Sequence, residues 1–449
     1  MKKVLKFGLL LVLVIVVGVV VYNYPRLNII TGFSAKSVCS CTFEANRSLA
    51  SIEKGDNGFS PINLATNKIN FEEKSVTSTV FGLKARKAIY KKGVGCVLLS
   101  EDFKNEISFK PNRHIIEKKL PYPFGVLPQK DTVFTNVNYK AVNKAVENAF
   151  DKIGDSVKKT RAVLVIYKNK IIAEKYAEGF DENSKFLGWS MTKSITSAVV
   201  GVLAKQGRVD IHQTNLFPEW ENDQRSKITL NNLLQMNSGL AWVEDYNTIS
   251  DVTKMLYLDK DMSKIPLEKP LVSKPDSSWN YSSGTTNLIS KYIRNQFKTH
   301  QEYLDFWYKE LIDKIGMNSM VLETDAKGNY IGSSYGWATA RDWSKFGLLY
   351  LHKGNWNGTQ ILNKDWIEYT VQPTPTSNGE YGAQFWLNSG GVYPNVPKDL
   401  FSCNGYQGQY VFIIPSKNLI VVRFGLAENP IFNTNQFLSS ISQSIGLEQ

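Results

Sequence analysis

Residues Ile195 to Leu203 are almost wholly apolar and carry no charge. A surface helix shows one apolar stripe, whereas a stretch apolar all round must be enclosed on every side. The chain therefore has to wrap itself around this segment. Directly before it stands Gly188-Trp189-Ser190-Met191-Thr192-Lys193-Ser194. On a helix, Ser190 and Lys193 share a face one turn apart. A serine hydroxyl is a weak nucleophile until a base takes its proton. A desolvated lysine has a lowered pKa, and its neutral amine can be that base. Ser190 and Lys193 are thus the candidate nucleophile and base. The competing reading of Ser190 is an ordinary helix N-cap. The same spacing recurs at Ser51-Ile52-Glu53-Lys54 and Ser156-Val157-Lys158-Lys159, both in polar, charged surroundings that read as solvated surface.

A length of 449 residues accommodates two or three domain-sized units. The 43% hydrophobic and 12% aromatic content is globular. The net charge of +12 is spread along the chain without a basic-aromatic cluster, so nucleic acid is not an expected partner. Such a surface tolerates anionic polymers and lipids. Lys2, Lys3 and Lys6 precede an apolar run from Phe7 to Tyr22. The run is short beside the ~20 residues of a usual span, but Lys6 can snorkel and Tyr22 and Tyr24 can sit at the far interface. Residues 1–27 read as an uncleaved anchor. The alternative is a cleaved signal peptide, against which stands the missing small-x-small site. Either reading puts the rest of the chain outside the cytoplasm.

Four cysteines suit an exported chain with few staples. A bridge from Cys39 or Cys41 to Cys96 would tie the N-terminal segment together; buried free thiols are the alternative. The four histidines, His114, His212, His300 and His352, show no paired spacing with cysteine, so neither a metal nor a cofactor is expected.

Residues 28–135 read as an N-terminal extension of short strands, such as 94–100, ending in a linker punctuated by Pro111, Pro121, Pro123 and Pro128. Residues 136–449 read as the main domain. Apolar positions at helical spacing run from Asn138 to Ile153. Two strands follow, Ala162–Tyr167 and Ile171–Tyr176, around a tight turn at Lys168-Asn169-Lys170. Residues 205 to about 330 are helical and loop-rich, with a capped short helix in Ile228–Met236. Thr339-Ala340-Arg341-Asp342 reads as a capping box. Strands return at Tyr381–Leu387, Tyr406–Ile414 and Leu419–Phe424, and a helix closes the chain over Phe437–Ile445. The expected fold is an α/β (α+β) sandwich. Its antiparallel sheet is built from N- and C-terminal strands flanked by helices, with an inserted helical lobe.

Four segments in order resemble the motifs of the penicillin-recognising serine hydrolases. These are the Ser190 heptapeptide, Ile228-Thr229-Leu230 through Ser238-Gly239-Leu240, Trp279-Asn280-Tyr281-Ser282-Ser283, and Phe401-Ser402-Cys403-Asn404-Gly405-Tyr406-Gln407-Gly408-Gln409. The chain is most similar to the class C β-lactamase-related branch that includes 6-aminohexanoate-dimer hydrolases and esterases, over roughly residues 140 to 445. The resemblance implies a β-lactamase/transpeptidase-like fold. It also implies an acyl-enzyme on Ser190, with Lys193 and Tyr281 sharing proton transfer. Tyr281 beside an ammonium is expected to have a lowered pKa. The backbone N–H groups of Ser190 and Tyr406 would form the oxyanion hole. Trp189, Ser283, Cys403, Asn404 and Gly405 would contact substrate.

Ser283 stands where the family has asparagine, and Cys403 where β-lactamases have lysine. Both departures point away from β-lactams and towards small linear amides or esters. Trp189, Trp279, Tyr335, Trp337, Tyr381 and Trp386 are candidate pocket walls; for each, core packing is the competing reading. An α/β-hydrolase is disfavoured, because Gly188-Trp189-Ser190-Met191-Thr192 lacks the second glycine of Gly-x-Ser-x-Gly. The alternative to an enzyme is a penicillin-binding-like sensor or a catalytically silent scaffold of the same fold.

Overall fold

The computed structural model describes residues 2–446 except 100–108, 153, 155 and 156, with the backbone alone at 2–5, 16, 17, 19–21 and 23. Ile153 and Ser156 thus lie outside the described residues. The chain opens with helices α1 (Lys2–Asn23) and α2 (Arg26–Phe43). Among the described residues no helix is long and apolar enough to cross a membrane. The expected anchor over Phe7–Tyr22 is therefore unsupported: the run is shorter than a bilayer core requires, and several of its side chains are not described.

Helix α2 is buried along most of its length and lies on a four-stranded antiparallel sheet. The strands follow in sequence order: β1 (Ala65–Asn70), β2 (Ser75–Val80), β3 (Leu83–Lys91) and β4 (Gly95–Leu98). A disulfide joins Cys39 of α2 to Cys96 of β4. Cys41 is a buried free thiol whose pKa burial pushes up to about 12.

The second layer system begins at α3 (Tyr139–Ala149), followed by β5 (Ala162–Tyr167), β6 (Lys170–Tyr176) and β7 (Lys185–Leu187). The buried helix α4 (Thr192–Lys205) leads into a helical lobe containing α5 (Asp251–Tyr257) and α6 (Ser283–Asn295). Next come β8 (Val321–Leu322), β9 (Gly336–Thr339) and α7 (Ala340–Leu351). Strands β10 (Trp386–Leu387), β11 (Phe401–Gly405), β12 (Gln409–Ile414) and β13 (Leu419–Phe424) precede α8 (Thr434–Gln443). The main sheet is antiparallel in the order β10-β11-β12-β13-β5-β6. Its centre pairs the last strand with the first, Val421 opposite Val165.

Strand alternation assigns the two faces. Leu164, Ile166, Val411, Ile413, Ile420 and Val422 join the core around α4. Val163, Val165, Phe412, Ile414, Leu419 and Val421 face α3 and α8. This is the expected mixed helix and antiparallel sheet sandwich. Both hairpin turns use left-handed backbone, Lys168 and Asn169 (φ 47° and 64°) and Asn418 (φ 50°), which suits the twist of the strands they join. Two strands are shorter than their composition predicts. Gln407 and Gly408 turn at positive φ, so β12 starts at Gln409. Gln384 at φ 68° breaks the run before Trp386, leaving Tyr381 in a single bridge to it.

Candidate active site

Helix α4 is enclosed from Thr192 to Leu203, and its buried hydroxyls find carbonyls at its borders. Ser194 Oγ donates to Gln384 O (2.7 Å), Thr196 Oγ1 to Gly332 O (2.8 Å) and Ser197 Oγ to Ala383 O (3.0 Å). Every buried hydroxyl so paired avoids a desolvation cost of about 1–3 kcal/mol. The turn that carries Ser190 precedes this helix. Trp189 adopts φ 47°, an uncommon conformation for a bulky residue. Thr192 pins it: its Oγ1 donates to Trp189 O (2.8 Å) and accepts from Gly336 N–H (2.9 Å). Ser190 itself remains partly exposed, while Lys193 is only 1% exposed.

The Lys193 Nζ lies 2.9 Å from Ser190 Oγ, 2.9 Å from Ser283 Oγ and 3.0 Å from Ser333 O. Burial lowers its pKa to about 8, against a smaller upward pull from the Glu244 carboxylate. Ser283 Oγ donates to Glu244 Oε1, and Ser283 N–H donates to Glu244 Oε2 (2.8 Å). Trp242 Nε1 donates to the same carboxylate at 2.5 Å, and the Tyr246 hydroxyl at 3.3 Å. The structure thus links Ser190, Lys193, Ser283 and Glu244 in one chain of contacts.

Tyr281 presents its ring to the Lys193 ammonium, 4.9 Å from centroid to Nζ, and its hydroxyl lies near enough to Ser190 to feel it. Its pKa is raised, not lowered as expected beside an ammonium. Burial and the negative charge of Glu244 dominate and hold the phenol protonated.

The other sequence-predicted residues divide into separate surroundings. Trp279, Tyr381 and Trp386 pack around Tyr281, with centroid distances of 5.2–5.7 Å between Tyr281, Tyr381 and Trp386. Trp189, Tyr335 and Trp337 instead join the core shared with α2 and its sheet. On β11, Gly405 meets the serine turn so closely that a Cβ there would sit 2.0 Å from Gly188 O. The neighbouring Tyr406 sets its ring against Trp189 of that turn, centroids 5.6 Å apart. Asn404 points the other way on the strand and accepts from Ser402 Oγ (2.7 Å). Cys403 is buried in the core near Ser194, with a thiol pushed up to about 12, and does not open on the cleft. Ser283 is likewise fully buried, bridging Lys193 to Glu244. Glu244 escaped the sequence reading: the adjacent acids of Trp242-Val243-Glu244-Asp245 have no pattern that singles one out. Among the described residues no group of three His, Cys, Asp or Glu is placed to hold a metal ion.

The family described as Beta-lactamase matches residues 146–429. The chain is 22% identical over 303 residues to the 6-aminohexanoate-dimer hydrolase of Paenarthrobacter ureafaciens, covering 60% of this chain and 74% of that one. A penicillin-binding protein homologue from Caulobacter crescentus superposes with a TM-score of 0.54 at 14% identity, covering 70% of this chain and 97% of the other. A family VIII carboxylesterase does so with a TM-score of 0.55 at 16% identity, covering 70% and 98%.

Proposed function

The chain belongs to the β-lactamase family of serine hydrolases, and on that premise we propose that it cleaves small amides or esters through an acyl-enzyme on Ser190. The observation that carries this reading is the enclosed Lys193 amine, 2.9 Å from Ser190 Oγ, with a pKa lowered to about 8. In its neutral form Lys193 takes the Ser190 proton as Oγ bonds to the substrate carbonyl carbon. The oxyanion faces the N–H groups of Ser190 and Tyr406. Tyr281, protonated, donates to the departing amine or alcohol as its bond to the carbonyl carbon breaks, and regains a proton from Lys193. Water then repeats the sequence in reverse: it loses a proton, bonds to the acyl carbon, and Ser190 recovers its hydrogen.

The substrate class follows from what β11 lacks. A buried neutral thiol at Cys403 supplies no cation for a β-lactam carboxylate. The Cys39–Cys96 disulfide supports placing the catalytic part outside the cytoplasm. The test is intact-mass spectrometry after a fluorophosphonate probe, beside Ser190→Ala, with p-nitrophenyl butyrate turnover in parallel. Labelling and turnover lost together in Ser190→Ala is the expected result. Labelling that persists in Ser190→Ala would overturn the assignment, and stoichiometric labelling without turnover would favour a sensor.

A further inference from the structure

Between α2, the loop before β1 and the loop before α5 lies a cavity of about 430 Å³. This is within the size range of small-molecule sites. Its walls are mostly apolar, among them Leu27, Ile30, Phe33, Ile62 and Ile249. At its rim Leu64 is 46% and Phe81 77% exposed, apolar surface that water does not favour. Two further walls belong to the catalytic neighbourhood. Tyr406 follows the glycine that meets the serine turn, and Tyr246 donates to Glu244. Their rings stack at 4.9 Å, and Trp189, adjacent to Ser190, contacts both at 5.6 and 6.4 Å. The Tyr281 wall of Trp279, Tyr381 and Trp386 is made of other residues. The cavity therefore lies against Tyr406 and Tyr246 and away from the Tyr281 wall; with Tyr281 serving the leaving group in the reading above, it falls to the acyl part of the substrate.

We infer that this cavity receives a linear aliphatic acyl chain, which runs from Ser190 across Tyr406 and Tyr246, so that the preferred substrates are medium- to long-chain acyl esters or amides. The inference rests on the acyl-enzyme reading above. It assigns the α2 region a part in substrate choice that the β-lactamase-like portion, residues 146–429, does not supply alone.

The test is a p-nitrophenyl ester series from acetate to dodecanoate on the full chain, beside an acetate series with lengthening alkyl alcohols. Transfer of each methylene into an apolar site is worth up to about fourfold. We expect kcat/KM to rise from acetate to at least decanoate in the acyl series and to stay flat in the alcohol series. Ile249→Trp, which fills the cavity, and Leu64→Glu, which charges its rim, should each cut the decanoate-to-acetate ratio at least tenfold. A ratio at or below one in the wild type, a preference that follows the alcohol, or a ratio unmoved in both variants would overturn the inference. If no ester is turned over and Ser190 is not labelled, the hydrolase reading is what fails. Dodecanoate binding to Ser190→Ala, followed by tryptophan fluorescence, then decides the cavity alone. Binding weakened by Ile249→Trp supports it, and no binding overturns it.

Discussion

In the proposed mechanism Lys193 sets the operating pH of the site. Its lowered pKa, about 8, keeps it mostly protonated at neutrality, and only the neutral amine can accept the Ser190 proton. kcat/KM should therefore rise with pH through a midpoint near 8, checked with p-nitrophenyl butyrate from pH 6 to 9.5. Glu244 raises the Lys193 pKa by its charge, so Glu244→Gln should move that midpoint to lower pH. An unmoved midpoint would remove Glu244 from the electrostatics of the site. The same depression costs stability. Between about pH 8 and the ordinary lysine value the native state holds fewer protons than the unfolded chain, so this group's contribution improves as pH rises through that window. Below it the full penalty stands, up to about 3 kcal/mol. Lys193→Met should abolish turnover and raise the Tm at pH 7, with the orphaned Ser333 carbonyl offsetting part of the gain. Calorimetry showing a lower Tm would mean that the hydrogen bonds outweigh desolvation.

At the scale of elements, the proposed oxyanion hole depends on β11 meeting the serine turn. A methyl group at Gly405 would stand 2.0 Å from Gly188 O, a backbone atom that cannot step aside cheaply. Gly405→Ala should lower kcat at least ~100-fold while the far-ultraviolet circular dichroism stays native, because a displacement near 1 Å is enough to spoil such a constellation. Wild-type kcat in that variant would show that the strand edge does not position the oxyanion donors. Much of this architecture was legible in local patterns. The enclosed helix announced itself by composition, the hairpin at Lys168-Asn169 by its turn residues, and the cap of α7 by Thr339. What was not legible depends on tertiary approach. Glu244 reaches Ser283 from a loop without periodicity, Cys403 turns into the core by strand alternation, and the direction of the Tyr281 pKa is decided by burial that no local window reports.

Over the whole molecule, the α2 region and the catalytic part share one core, in which Phe33, Val38 and Tyr257 pack with Trp189, Tyr335 and Trp337. A buried ionic knot fastens it. Lys36 Nζ is 2.6 Å from Glu323 Oε2 and donates to Cys96 O, while Ser40 Oγ and Cys96 N–H donate to Glu323 Oε1. The Lys36 ammonium also faces the Tyr335 ring at 4.1 Å. Burial pushes the Lys36 pKa down and the carboxylate pulls it back, so neither charge is at ease without the other. Removing one partner of such a pair typically costs about 3–5 kcal/mol, whereas replacing both by apolar groups is often near neutral. Lys36→Met should therefore lower the Tm clearly, and Lys36→Met/Glu323→Leu should recover a good part of the loss. The thermal scan also reports on assembly. A single cooperative transition, moved as a whole by Lys36→Met, is expected if the two parts fold as one unit. Two transitions, with only the lower one shifted and Ser190 still labelled between them, would show that the N-terminal region melts away from a catalytic part that stands without it.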